Sequence, residues 1–243
     1  MAGLLLKLGG YGFIRILLPI FSEVTVFYLP LVDTFALVSI IYGSLTTIRQ
    51  VDLKRIIAYS SVAHMNLVVL GLFSGNIQGV SGAVFLMVAH GIVSSGLFFL
   101  VGVLYDKYNT RLLFYYGGLI QVMPLFSTQM FILCLANTGL PGTCNFVGEI
   151  VVFVGLIDRN FFVALLSVTG VILSVLYSIF FLNRLVFCNL NLRYISVYSD
   201  LTHREMAITG PLIFITVFLG IFPSFLFNVI LPSVSLIIEK SKY

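Results

Sequence analysis

Ala136-Asn-Thr-Gly-Leu-Pro-Gly-Thr-Cys-Asn-Phe-Val-Gly-Glu-Ile150 lies in the middle of a long apolar segment, Phe126 to Ile157, and cannot form an unbroken helix. Pro141 has no N–H, and its ring collides with the carbonyl four residues back. Gly139, Gly142 and Gly148 loosen the backbone further. Just past the break stands Glu149, the only acid between Asp106 and Asp158. The bilayer core holds no water, so broken backbone survives there only against protein or a polar cavity. A broken membrane helix carrying a carboxylate is how transporters build an ion site near the midplane. The plainer reading is a proline-kinked helix whose glutamate is paired for packing.

Working outward, the rest of the chain is equally apolar. Of 243 residues, 60% are hydrophobic and 9% charged, with a mean hydropathy of +1.12. A soluble domain carries about 25% charged residues, so the chain is read as an integral membrane protein and measured in spans of roughly 20 residues. Tryptophan is absent, and the 12 tyrosines can anchor the interfaces. A dispersed net charge of +4 gives no reason to expect nucleic acid as a partner. Cys134, Cys144 and Cys188 form no CxxC pair and read as small core residues rather than as metal ligands or a disulfide. The opening MAGLLLKLGGYGF has neither a basic n-region nor an Arg/Ser-rich amphipathic leader, which points to synthesis in a bacterium or inside an organelle.

Seven apolar segments are expected: Ala2–Ile20, Leu31–Thr47, Leu53–Phe73, Val80–Leu104, the broken Phe126–Ile157, Phe161–Phe187 and Ile208–Leu231. Loops and helix ends on one side carry Arg49, Lys54, Arg55, Lys107, Arg111, Arg184, Arg193 and Arg204. The other side carries Arg15, Arg159, Lys240 and Lys242. Eight against four places the first set in the cytoplasm or matrix, with the N-terminus inside and the C-terminus outside. The polar link 188–207 reads as a surface segment touching neighbouring subunits or headgroups.

A charge at the centre of a membrane helix costs roughly 2.5–3.5 kcal/mol on insertion scales, so each needs a reason. Lys7, in LLLKLGGYGF, can snorkel from a helix end or sit deeper against Gly9 and Gly10. Lys54 and Arg55 suit an interfacial anchor. His64, one turn past Ser60 and Ser61, and His90, followed by Ser94 and Ser95, fall near the midplane. A lone membrane histidine is usually a satisfied core residue; two at matching depth beside hydroxyls suggest a relay, since imidazole both accepts and donates a proton. Burial disfavours the charged form of each, drawing Lys7, His64, His90 and Glu149 together in proton affinity. Metal binding is the weaker reading, because none of these four lies three or four residues from another.

Four stretches carry a resemblance: LLLKLGGYGFIR (4–15), DLKRIIAYSSVAHMN (52–66), AHGIVSSGLFFLVGVLYD (89–106) and NTGLPGTCNFVGEI (137–150). In this order they resemble the second half of chain 4 of NADH–ubiquinone oxidoreductase (respiratory complex I), of the antiporter-like membrane subunit family. Mitochondrial-type members fit best, through NTRLLFYYGG (109–118) and GIFPSFLFN (220–228). The resemblance implies an all-α integral membrane fold. Its seven transmembrane helices, one broken around Pro141-Gly142, would be the eighth to fourteenth of that family's fourteen. It implies one membrane domain over 1–243, with the second five-helix inverted repeat at 31–187, an inner-side connecting loop at 188–207 and a last helix at 208–231.

By the same resemblance Lys7 is the central lysine between two half-channels, His64 and His90 continue the polar axis, and Glu149 is its terminal acid. Lys54 is a candidate point where protons enter from the inner side. No cofactor or metal is expected in this chain; NADH, FMN, iron–sulfur clusters and ubiquinone would be bound by other subunits. Expected partners are lipids and the other complex I membrane subunits in the mitochondrial inner membrane. The family's first half supplies a glutamate on the fifth helix and a lysine on the seventh, absent from this chain; the expectation is a split subunit, with a separate chain docking against Ala2–Ile20. Two other readings stay open: a subunit of a multi-subunit cation/proton antiporter, and a structural subunit whose ionisable residues are relics.

Overall fold

The computed structural model describes residues 3–190, 194, 195 and 198–241, without the side chains of Lys240 and Ser241. Arg193 and Lys242, counted in the charge balance, lie outside the described residues. The first segment is helical from Leu5 to Ile20, as α1 (Leu5–Gly12), a π turn (Phe13–Leu17) and α2 (Leu18–Ile20). Then come α3 (Ser22–Arg49), α4 (Leu53–Leu72), α5 (Ile77–Tyr108), α6 (Leu119–Val122), α7 (Pro124–Asn137), α8 (Cys144–Arg159), α9 (Phe161–Leu182) with a π turn (Asn183–Phe187), α10 (His203–Ile221) and α11 (Ser224–Ser241). Among the described residues the only bridge pairing is Asp52 with Leu112, which ties the loop after α5 to the start of α4.

Among the described residues five helices are long and apolar enough to cross a membrane: α3, α4, α5, α9 with its π turn, and α10. The expected broken span is two short helices in series, α7 and α8. A 14-residue helix rises only about 21 Å, so neither half crosses a bilayer core of roughly 30 Å alone. Two spans depart furthest from expectation. The second span begins at Ser22 rather than Leu31, because Pro30 is carried inside the helix instead of preceding it. The last helix does not run 208–231: α10 starts at His203 and stops at Ile221, where Pro223 withholds its N–H and forces Phe222 out of helical geometry. The chain restarts as α11, whose Phe227 stacks on Phe85 of α5, with ring centroids 4.9 Å apart.

The core is built around α5, which packs against α4, α7, α8, α10 and α11. Phe85, Leu86, Leu100 and Leu104 of α5 are fully buried, as are Leu70 and Leu72 of α4 and Phe126 and Met130 of α7. In lipid there is little hydrophobic drive between helices, so close packing of small residues carries the interface. Gly82 lets α5 approach α8 so closely that a Cβ there would lie 2.7 Å from the Val152 nitrogen. Gly155 on α8 lies on the Gly79 backbone with no room for a Cβ. Gly155→Val is therefore expected to lower stability by about 1–3 kcal/mol, read as a lower thermal midpoint and a smaller folded fraction in detergent, whereas Gly102→Ala, with open space around it, should leave both unchanged.

The described part of the 188–207 link packs back onto the bundle at its basic end rather than projecting from it. The Asp200 carboxylate accepts from the Leu125 and Phe126 amides at 2.9 and 3.0 Å, satisfying the first turn of α7. Lys107 at the end of α5 donates to the Asp200 carbonyl at 2.8 Å and to Glu205 Oε2 at 3.1 Å. Glu205 in turn closes a capping box with Thr202 at the start of α10. Three helix ends are thereby held in one place, and with them the approach of α7 to the break.

Candidate functional site

The break lies at 138–143. Gly139 and Gly142 take φ of +74° and +93°, the left-handed region that glycine enters without strain. The chain then re-enters helix at Cys144, which places Glu149 in the second turn of α8, facing inward. Gly139 presses on the carboxylate: a Cβ there would sit 2.7 Å from Glu149 Oε2. Gly220 of α10 packs directly on the Gly142–Thr143 backbone, closing the break from the other side.

Four helices bring the sequence-predicted residues together. Lys7 Nζ on α1 lies 2.9 Å from His90 Nδ1 on α5. The Lys7 stem passes 3.7 Å from where a Cβ on Gly91 would be, an ordinary van der Waals distance. The rings of His90 and His64 on α4 are tilted by 39°, with centroids 5.3 Å apart. His64 Nδ1 lies 3.3 Å from Glu149 Oε1 on α8. His90 is 1% exposed, and His64 and Glu149 are each 4% exposed, so three members of the line are shut off from bulk solvent. Lys7 is half-buried, on a cleft that α1 and α5 share.

The contacts constrain the protons. A charged lysine has no lone pair, so His90 Nδ1 must accept from it and the ring proton then resides on Nε2. That Nε2 has no hydrogen-bond partner among the described residues. Glu149 Oε1 is likewise without an aligned donor, although His64 Nδ1 is 3.3 Å away. At that distance the two are a close pair without a formed hydrogen bond. Beside it lies a cavity of about 20 Å³, lined by Ile40, Ala63, Leu67, Ser167, Gly170 and Ser174 as well as His64 and Glu149, room for one water.

Other expectations fall out differently. Lys54 is exposed at the basic end of α4, ten residues from His64, about 15 Å along the helix. It shares a small pocket with Arg111, whose guanidinium lies 4.1 Å above the Tyr105 ring. The structure does not bring it to the other four. The serines beside the histidines do not bridge them: Ser60 and Ser61 donate to the Ile57 carbonyl, Ser94 to Gly91 and Ser95 to Ile92. In the apolar interior a hydroxyl is satisfied most locally by its own helix.

Two features were missed. Tyr177 of α9, 3% exposed, places its hydroxyl 3.3 Å from His64 Nε2. Asp33 of α3, 5% exposed, forms an ion pair with Arg159 at the end of α8, and Arg159 also donates to the Phe73 carbonyl at 3.0 Å. An aspartate inside an apolar stretch was the available signal for the second; a membrane tyrosine gives none for the first.

Residues 1–177 match the family model described as NADH:quinone oxidoreductase/Mrp antiporter, TM. The chain belongs to that family. Among curated members it is 49% identical over 243 residues to NADH-ubiquinone oxidoreductase chain 4 of Marchantia polymorpha, covering 100% of this chain and 49% of that one. It is 50% identical over 230 residues to the chain of the same name from Acanthamoeba castellanii, covering 95% and 46%. The chain thus spans about half the length of these relatives. Among solved structures, a chain of respiratory complex I from Thermus thermophilus with bound NADH superposes with a TM-score of 0.91 at 28% identity, over 97% of this chain and 50% of that one. A chain of the Mrp complex from Dietzia sp. shares the fold, with a TM-score of 0.81 at 18% identity over 95% and 52%. Within the NADH:quinone oxidoreductase/Mrp antiporter family this chain is a multi-pass membrane protein built on the antiporter-like helical fold.

Proposed function

We propose that the chain is the second half of a proton-translocating chain 4 of respiratory complex I, and that Lys7, His90, His64 and Glu149 carry protons through it in that order. The observation that supports this reading is their spacing: four titratable side chains from four helices, each within reach of the next, inside a segment where every charge is costly. Imidazole both accepts and releases a proton, so each histidine can pass charge without moving far. Glu149, beside the helix break, is the last acceptor. NADH oxidation and ubiquinone reduction would take place on other subunits, and this chain would bind no redox cofactor. The protein would lie in the mitochondrial inner membrane, with its N-terminus on the matrix side and α10 leading to the intermembrane space.

The family's first-half helices would stand beside α1; the cleft there, which Lys7 shares with Gly3, Tyr11, Met87 and Ser95, supports this reading. α3–α9 would form the second five-helix repeat, and Lys54 a place where protons enter from the matrix.

Lys7→Ala tests the reading. In the assembled complex we expect proton pumping per NADH oxidised to fall severalfold while the complex keeps its abundance on native gels. Unchanged pumping in an assembled variant would leave the residues as relics in a structural subunit. The second reading, a cation/proton antiporter subunit, is favoured by the fold match to the Mrp complex; dependence of pumping on Na⁺ would select it, and equal rates in Na⁺ and K⁺ media would exclude it.

A further inference from the structure

The Tyr177 hydroxyl is the only side-chain group the described structure places on the second nitrogen of His64. The tyrosine lies on α9 at 3% exposure, and its oxygen is 3.3 Å from Nε2. Nδ1 of the same ring faces Glu149. Each nitrogen of His64 therefore has one assigned neighbour. The same hydroxyl also lies beside the Ser60 and Asn137 side chains, on α4 and at the end of α7. Ser60 spends its own proton on the Ile57 carbonyl at 2.8 Å, which leaves its oxygen as an acceptor.

We propose that Tyr177 is a positioning residue for the relay, holding His64 Nε2 in both protonation states of the ring so that proton exchange with Glu149 runs through Nδ1. A hydroxyl is both donor and acceptor. When His64 is doubly protonated, Nε2–H donates to the Tyr177 oxygen, and the tyrosine proton turns to Ser60 or Asn137. The imidazolium then loses its Nδ1 proton to the Glu149 carboxylate, giving a neutral ring still bonded through Nε2–H and a neutral carboxylic acid. In the other neutral tautomer the hydroxyl rotates and donates to Nε2. No bond to Tyr177 is made or broken; one proton moves, from Nδ1 to Oε1.

The groups facing His64 bear on any pH effect. Glu149 approaches from α8, Tyr177 from α9 and His90 from α5, with Lys7 of α1 behind His90 and Cys134 of α7 near Tyr177. From α3, Ile40 lines the adjoining cavity. Tyr177 is the member whose replacement by phenylalanine removes a hydrogen bond and changes no formal charge. Without it, the Nε2–H of either form is buried with no acceptor, a loss that is larger for the imidazolium because charged donors make the stronger hydrogen bonds.

This inference rests on the relay proposed above, and the experiment separates the two. Tyr177→Phe keeps the ring and its packing. In the assembled complex its pumping at neutral pH should fall about tenfold, with the pH profile of pumping moved by about one unit towards acid, where His64 can still be charged. Added to His64→Gln, it should lower pumping no further than His64→Gln alone, because it acts through that ring. A phenylalanine variant with the parental rate and pH profile would overturn the inference, as would one that fails to assemble or one whose effect persists in the His64→Gln background. Glu149→Gln is the control: if it also pumps normally, the relay itself is overturned; if it is impaired while Tyr177→Phe is normal, only the role of Tyr177 is lost.

Discussion

Glu149→Gln is expected, on the relay proposed above, to reduce proton translocation by the complex about a hundredfold, while the protein folds and assembles. Glutamine fills the same volume against Gly139 and can still accept from the His64 ring, so the packing around the break survives. It cannot release a proton. Glu149 is 4% exposed, and the titratable side chains the described structure places by it are His64 and Tyr177, neither of them a carboxylate that could take over. Acidification measured in proteoliposomes containing the intact complex, with abundance checked on native gels, decides the matter. An assembled glutamine variant that pumps at the parental rate would remove Glu149 from the mechanism.

Arg159→Ala should act on the fold rather than on the relay. The substitution strands the Asp33 carboxylate, 5% exposed, whose Oδ1 already has no partner among the described residues. Leaving one member of a buried pair uncompensated costs about 3–5 kcal/mol, and the Phe73 carbonyl at the end of α4 loses its donor as well. We expect most of the protein to fail to assemble, seen as loss of the complex band and a lower thermal midpoint. The double variant Asp33→Leu with Arg159→Met should recover much of the loss, since replacing both charges by apolar groups of similar volume is often neutral. If the single alanine variant were as stable as the parent, the pair would be incidental to the packing of α3, α4 and α8.

The parts of this molecule that could be read along the chain are those where a residue type is expensive in lipid. Pro141 between two glycines announces a break, and the structure has one at 138–143. Lys7, His64, His90 and Glu149 stand out because insertion penalises them, and they do converge. What could not be read are contacts whose partners are set by helix packing. Arg159 looks like a loop charge until α3 brings up Asp33, 126 residues away in the chain. Tyr177 looks like one more membrane tyrosine until α9 lays it against α4. The helix limits at Ser22 and Ile221 differ from the expected ones for a related reason: a helix absorbs Pro30, whereas Pro223 ends one.

The cap on α7 bears on how the protein is made. The amides of Leu125 and Phe126 are satisfied by a carboxylate 75 and 74 residues later in the chain. A ribosome delivering this chain inserts α7, the break and α8 long before Asp200 emerges, so the half-helix enters the bilayer with its first turn still solvated. Only when the segment after α9 folds back, with Lys107 gripping Asp200 and Glu205, do the ends of α5, α7 and α10 come into register. The break that carries Glu149 is thus finished late in biogenesis, and a nascent chain halted before residue 200 would hold Lys7, His64, His90 and Glu149 without the clasp that joins these helix ends.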